Sequence, residues 1–340
     1  MLVVAIRVRE RIVRARNLRL ARDQVPVTLA WEGDCLVDVV GGEASVDLEG
    51  GTTHRSVSWS YPFDRALVSP VSGTRVIYQA TGTKALVAKS KRKVRELNRS
   101  YYHANAYEYP VAVACLEDGR EVIAHCPDGY NRIAIEVLAT GERLASASDS
   151  AVDLFHSRLS FSPTGRYLLS AGWVWHPYGV VAVYDVDLAL RDSTHLDGRG
   201  VLKWEAVDAE VEAACWVGPS TVFISGNPDE EALNDEGDGL QPGEFGLWSV
   251  EQETWVFRHH FGSHTGTLHR LGDRVLSLYD HPKLIEPGSA TVIAEWPELK
   301  SGQQISSIVW KQQFQPFALD EANSRFAVAN GPDIVVVEVD

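Results

Sequence analysis

Three stretches of this chain hold a histidine on restrained backbone: His125-Cys126-Pro127, Trp173-Val174-Trp175-His176-Pro177 and Asp280-His281-Pro282. Each proline fixes its own φ, so the nearby imidazole is presented from a loop with little freedom. Imidazole titrates near neutrality and can ligate a metal, move a proton or bind a partner. A fourth stretch, Tyr101-Tyr102-His103-Ala104-Asn105-Ala106-Tyr107-Glu108-Tyr109, places four tyrosines in nine residues. Tyrosine offers a large amphipathic ring at small cost in rotamer entropy, which suits a binding surface. Alternate tyrosines also suit packing between structural units, and the sequence leaves both roles open.

A catalytic zinc or iron needs about three neutral imidazoles, or two with a carboxylate, converging at about 2 Å. Asp280, Asp128 or Glu108 could complete such a set with His125, His176 and His281. The chain has no HxH or HEXXH spacing, and no metal or other cofactor is expected. Nor does it contain a GxSxG elbow; Ser146-Ala147-Ser148-Asp149-Ser150 reads as a connection between units. No catalytic residue is assigned.

What positions these residues is a repeat, clearest between Phe155 and Asp187. There Arg158 to Phe161 reads as a strand, Ser162-Pro163-Thr164-Gly165 as a tight turn, Tyr167 to Ala171 as a second strand and Val180 to Asp185 as a third. Aligning on the second strand and its turn gives seven copies, at Glu32–Val40, Ser72–Ala80, Glu117–His125, Pro163–Ala171, Gly218–Ser225, Gly272–Asp280 and Asn323–Asn330. The turn residue just before the strand is an arginine in five: Arg75, Arg120, Arg166, Arg274 and Arg325. The interval of about 40 to 55 residues is that of a four-stranded blade. Third strands are expected at Lys84–Ala88, Arg132–Val137, Val180–Asp185, Phe245–Val250, Thr291–Trp296 and Ile334–Val339. The last copy lacks an outer strand, which the alternating stretch Leu2–Val8 can supply. The fold predicted is all-β, a seven-bladed β-propeller in a single domain over 1–340, its ring closed by the N-terminal strand joining the last blade.

The segments SFSPTGRYLLSAG, 160–172, and VVAVYDVD, 180–187, resemble WD40-like and related bacterial propeller repeats. Those repeats carry a Ser-Pro-Asp-Gly-Arg type turn and an aromatic-Asp pair ending the third strand, where this chain has Tyr184-Asp185. Other blades end in Ile135-Glu136, Trp248-Ser249, Glu295-Trp296 or Glu338-Val339, so the resemblance implies architecture and carries no activity across. It also implies that loops entering first strands share a face with loops between second and third strands. His54, His103, His156 and His264 fall in the first group, and His125, His176 and His281 in the second. A histidine before a first strand often hydrogen-bonds within its own blade in such repeats.

Composition narrows the classes. With 340 residues and 45% hydrophobic content the chain can bury a sizeable core. No apolar run approaches a membrane span, and Met1–Ile6 is followed at once by Arg7, Arg9 and Arg11 instead of a signal sequence. A cytoplasmic protein without a membrane partner is expected. Cys35, Cys115, Cys126 and Cys215 lack paired spacing, which argues against disulfides and a structural zinc. A net charge of −14 disfavours nucleic acid. The basic stretches Arg7–Arg22 and Lys89–Arg99 read as protected sheet edges, with a strip for an acidic partner or RNA as the other reading; Asp229–Glu244, with seven acids and no base, reads as a mobile insertion. The expected function is non-enzymatic binding of a protein or peptide through Tyr101, Tyr102, His103, His125, His156, Trp173, Trp175, His176, Asp280 and His281. The alternative is an enzyme acting on a small polar molecule at the channel mouth, with a metal or acid-base pair from His125, His176, His281 and Asp280.

Overall fold

Strand Tyr167–Val174 is buried at every residue but its last. Its apolar side chains run on without alternating, as happens when sheets pack against both faces of a strand. A computed structural model describes residues 4–8, 11–54, 59–89, 92–234, 237–312 and 315–339, with side chains from Ala15 onward. Seven antiparallel sheets succeed one another, at 30–53, 65–98, 111–146, 159–185, 211–260, 268–295 and 317–338, each pairing its strands in sequence order. They are blades 1 to 7 of the expected seven-bladed propeller.

The core lies between blades. Val76, Tyr78, Val87 and Leu97 of blade 2 pack with Tyr109, Val111, Ile123 and Leu138 at blade 3. Leu169, Val181 and Val183 of blade 4 meet Val211, Val222 and Trp248 of blade 5. The last interface joins Ala327, Ile334 and Val336 to Leu36 and Val46 of blade 1. Arg325 crosses it, donating to Gly33 O at 3.0 Å and pairing with Asp34 at 2.9 Å. Arg75 similarly reaches Glu43 and Glu32 of blade 1, whereas Arg166 holds Asp185 of its own blade.

Ring closure involves two N-terminal strands. Arg11–Arg19 fills the fourth place in blade 7, pairing with Asp333–Glu338 so that Arg14 stands opposite Glu338 and Arg19 opposite Asp333. Val4–Val8 pairs outside it as a fifth strand; Leu2 and Val3, part of the expected closing strand, lie outside the described residues. Charge and burial suit this register: Arg19 meets Asp333, Arg16 meets Glu338 at 3.6 Å, and Leu18 is buried in the interface with blade 1. Arg9, Glu10 and Lys91 of the basic stretches also lie outside the described residues.

Three further features differ from the repeat pattern. In blade 6 the third strand is Lys283–Glu286, and Thr291–Glu295 is the fourth, because the short Asp280-His281-Pro282 turn returns the chain at once. In blade 4 the helix Val186–Arg191 follows the third strand where an outer strand would begin. Asp185 starts it, its carboxylate accepting Leu188 N–H at 3.0 Å as an N-cap while Arg166 grips the other oxygen at 2.9 Å. Between blades 6 and 7 a hairpin pairs Gln303–Gln304 with Trp310–Gln312. At its tip Ser306 and Ser307 are buried, and Ile308 packs on Tyr107, Phe155 and Trp173 of blades 3 and 4, so the hairpin reaches across the ring.

Deleting residues 1–19 removes the strand on Asp333–Glu338 and the buried Leu18. We expect the melting temperature to fall by about 10 °C or more, a loss of several kcal/mol in a chain of this size. Unchanged melting by circular dichroism would contradict this account of closure.

Candidate functional site

Arg99 follows the outer strand of blade 2, Arg92–Asn98, and turns inward, with 4% of its surface exposed. Its Nε donates to Gly82 O at 2.7 Å, Nη1 to Glu108 O at 3.2 Å, and Nη2 to Ala104 O at 2.5 Å, Tyr107 O at 3.0 Å and Ala80 O at 3.4 Å. The guanidinium lies over the rings of Tyr107 and Tyr109, at 4.6 and 5.0 Å. Burial pushes its pKa down. The 100–108 loop is thus wrapped around a buried cation. Tyr107 and Tyr109 turn in, whereas Tyr101, Tyr102 and His103 turn out, His103 with a left-handed φ of 51°. Tyr107 and Tyr109 thus take the packing role left open for the tyrosine run, while Tyr101 and Tyr102 are exposed.

The outward residues rest on a stack centred on Phe155. Its ring lies 3.9 Å from Trp173 and 4.1 Å from Tyr130, both stacked, and 5.8 Å from Tyr102. Trp175 stands edge-on to Phe155 at 5.6 Å and to His103 at 4.9 Å. Phe155 and Trp173 exchange backbone hydrogen bonds of 2.9 and 3.1 Å. Gly172 permits this approach, since a Cβ there would stand 2.1 Å from Phe155 O. Phe155 and Trp173 are buried, but Tyr101, Tyr102 and Trp175 are 80%, 46% and 44% exposed. His176, at φ 73°, is exposed beside Trp175. The Tyr130 hydroxyl donates to Asp153 at 2.8 Å; burial first, then that bond, push its pKa up to about 12.

The remaining predicted residues go elsewhere. His156 is 1% exposed and shares a 3.0 Å hydrogen bond with Ser170 Oγ inside blade 4, and burial lowers its pKa to about 3. His125 ends a strand with its side chain turned into blade 3, its Nε2 3.1 Å from Glu136 Oε2. Arg95 and Arg143 meet the same carboxylate at 2.7 and 3.3 Å. Burial alone would raise Glu136, but His125 and Arg95 outweigh it and hold the pKa at about 2. His125, His156 and Trp173 are therefore not surface groups: strand register aims His125 and Trp173 inward, and the bridge of neighbouring Phe155 to Trp173 carries His156 in with it, which loop position does not reveal. His281 stands between Asp280 and Glu295, at 3.1 and 3.2 Å, in blade 6. Asp280 in turn pairs with Gly302 at the base of the 303–312 hairpin, its N–H 2.6 Å from Gly302 O. Among the described residues no three His, Cys, Asp or Glu side chains converge as a metal site.

Sequence reasoning missed Tyr130 and Phe155, lone aromatics without a local pattern. It also passed over the alternating acids Asp208, Glu210 and Glu212 at the start of blade 5, a period-two signal. Glu212 is fully buried, accepts N–H from Thr265 at 3.0 Å and Gly266 at 2.7 Å, and lies 3.4 Å from His264 Nδ1. His264 Nε2 is 3.2 Å from Asp229. Asp208 accepts Gly239 N–H at 2.8 Å, and its carbonyl accepts Leu233 N–H at 2.7 Å. The described part of the acidic insertion, which excludes Asp235 and Glu236, is thus hydrogen-bonded to Asp208 at Leu233 and Gly239.

Glu212 beside it raises the His264 pKa above 6.5, and burial raises that of Glu212. A histidine so shifted contributes fully below pH 6.5 and loses its contribution as pH rises through the raised value; Glu212 moves in the same sense. We expect the melting temperature to decline as pH rises above 6.5 and His264→Gln to flatten that decline; parallel profiles would refute it. Arg99→Lys leaves several carbonyls without a donor and should cost at least about 3 kcal/mol in chemical denaturation, with faster amide exchange over 100–108.

No family model matches the chain, and no curated protein sequence does. Among solved structures, a chain of the mitotic checkpoint complex aligns with a TM-score of 0.58 at 12% identity, over 95% of this chain and 91% of that one. The Pan2 WD40 domain of Neurospora crassa aligns with a TM-score of 0.54 at 11% identity, over 93% and 90%. The likeness is one of fold, that of the WD40-like seven-bladed propeller.

Proposed function

We propose that this propeller is a non-enzymatic scaffold that binds a protein or peptide through the face bearing Tyr101, Tyr102, His103, Trp175 and His176. The observation that carries this reading is the pairing of half-exposed Tyr102 and Trp175 with a fully buried stack of Phe155 and Trp173 beneath them. Aromatic rings already held by their neighbours lose little freedom when a ligand covers them, which is how a few residues come to dominate an interface. WD40-type propellers commonly serve as interaction scaffolds, which supports the assignment. Trp173 supports the face from below, His125 and His156 are held inside blades 3 and 4, and Asp280 with His281 steadies the hairpin base. Among the described residues no helix is long and apolar enough to cross a membrane. The four cysteines are free, and we place the protein in a reducing, cytoplasmic setting, where thiols stay unpaired.

Selection from a phage-displayed random peptide library tests the reading. Enriched peptides should bind the purified protein in the micromolar range and bind the Tyr102→Ala/Trp175→Ala variant at least about tenfold more weakly, with its melting temperature retained. Failure to enrich peptides, or equal binding by the variant, would remove it.

A further inference from the structure

We infer that the segment this face accepts is basic and arginine-bearing, an inference that rests on reading the face as a peptide-binding surface. The exposed faces of Trp175 and Tyr102 carry the negative side of the aromatic quadrupole, which attracts a guanidinium. Carboxylates flank them on two sides. Asp153 is exposed at the edge of the stack, where it accepts the Tyr130 hydroxyl at 2.8 Å. On the other side Tyr178, two residues beyond His176, reaches toward Asp208 O at 3.5 Å and lies within the field of Glu210, Glu230 and Asp208. Exposed Glu230 and Glu231 begin the acidic insertion there.

The nearby cations are committed. Arg99 is enclosed by backbone carbonyls, and Arg158 donates to Ala171 O at 3.2 Å and Glu212 O at 2.9 Å within the wall. Arg132 pairs with Asp149 and donates to Asp128 O. His103 and His176 are the imidazoles exposed beside Tyr102 and Trp175. The geometry suits an extended segment whose arginine lies across Trp175 and Tyr102, with a second cation at Asp153 or at Glu230 and Glu231. The net charge of −14 draws such a segment in from a distance.

The test uses fluorescein-labelled peptides of about ten residues alternating glycine with arginine, glutamine or glutamate, read by anisotropy at about 50 and 300 mM salt. We expect the arginine peptide to bind at least about tenfold more tightly than the glutamine peptide, to weaken with salt, and to lose binding in Tyr102→Ala/Trp175→Ala. Asp153→Asn, which keeps an oxygen to accept the Tyr130 hydroxyl but removes the charge, should weaken it a few-fold, whereas the same charge change at exposed Asp273 in blade 6, Asp273→Asn, should not. Arginine-peptide binding that survives the double variant would be bulk attraction to an acidic protein and would overturn the inference. Library-selected peptides that depend on Tyr102 and Trp175 yet are neutral or acidic would overturn it too while leaving peptide binding intact. If no peptide of either kind depends on those two residues, the underlying reading falls with it.

Discussion

A sheet that is apolar on both faces cannot stop at an edge of the molecule; it needs a neighbour on each side. Every blade here meets that condition through the next, and only a closed ring lets the first and last do so as well. The interface between blades 7 and 1 therefore carries a weight the others do not. Leu18, Ile334 and Val336 supply its apolar part, and Arg325 adds polar contacts to Gly33 and Asp34. With the circle shut, loops on one face are held at fixed separations, and a binding surface can be built from pieces far apart in sequence.

The aromatic face shows how that rigidity is used. Its rings come from the 100–108 loop, from Tyr130, from Phe155 and from the Trp173-Trp175 turn, four segments brought together by blades 3 and 4. None is long enough to order itself. Arg99 orders the first by giving its carbonyls a common donor, and Gly172 lets Phe155 join the edge of blade 4. A charge that is costly to bury is acceptable here because its N–H groups meet the surrounding carbonyls.

How much of this was legible varies with the range of the interaction responsible. Seven blades could be read because each second strand begins with local turn chemistry, as at Pro163-Thr164-Gly165-Arg166. The exposed members of the aromatic face were legible for the same reason: Tyr101, Tyr102, His103 and Trp175 sit in dense local clusters. Their support was not, because Phe155 and Tyr130 acquire a role only by stacking across blades. Loop position also does not say which way a side chain beside a strand points, so His125 and His156 read as surface groups although the fold buries both. The helix in blade 4 arises from Asp185, whose capping role looks in the sequence like an ordinary strand end. The 303–312 hairpin is rich in glutamine and serine, without the alternation that announces a strand.

Closure by the N-terminal strands has a further consequence, in the order of synthesis. Arg19 and its partner Asp333 are separated by 314 residues. At typical elongation rates the first waits roughly 15 to 65 s for the second to emerge from the ribosome. During that interval Arg11–Arg19 is a strand without a sheet, on a growing chain surrounded by copies of itself. Arg16 and Arg19, drawn to Glu338 and Asp333 once the ring shuts, would meanwhile repel the same strand on a neighbouring chain. One set of charges thus guards an unfinished molecule and then fastens the finished one.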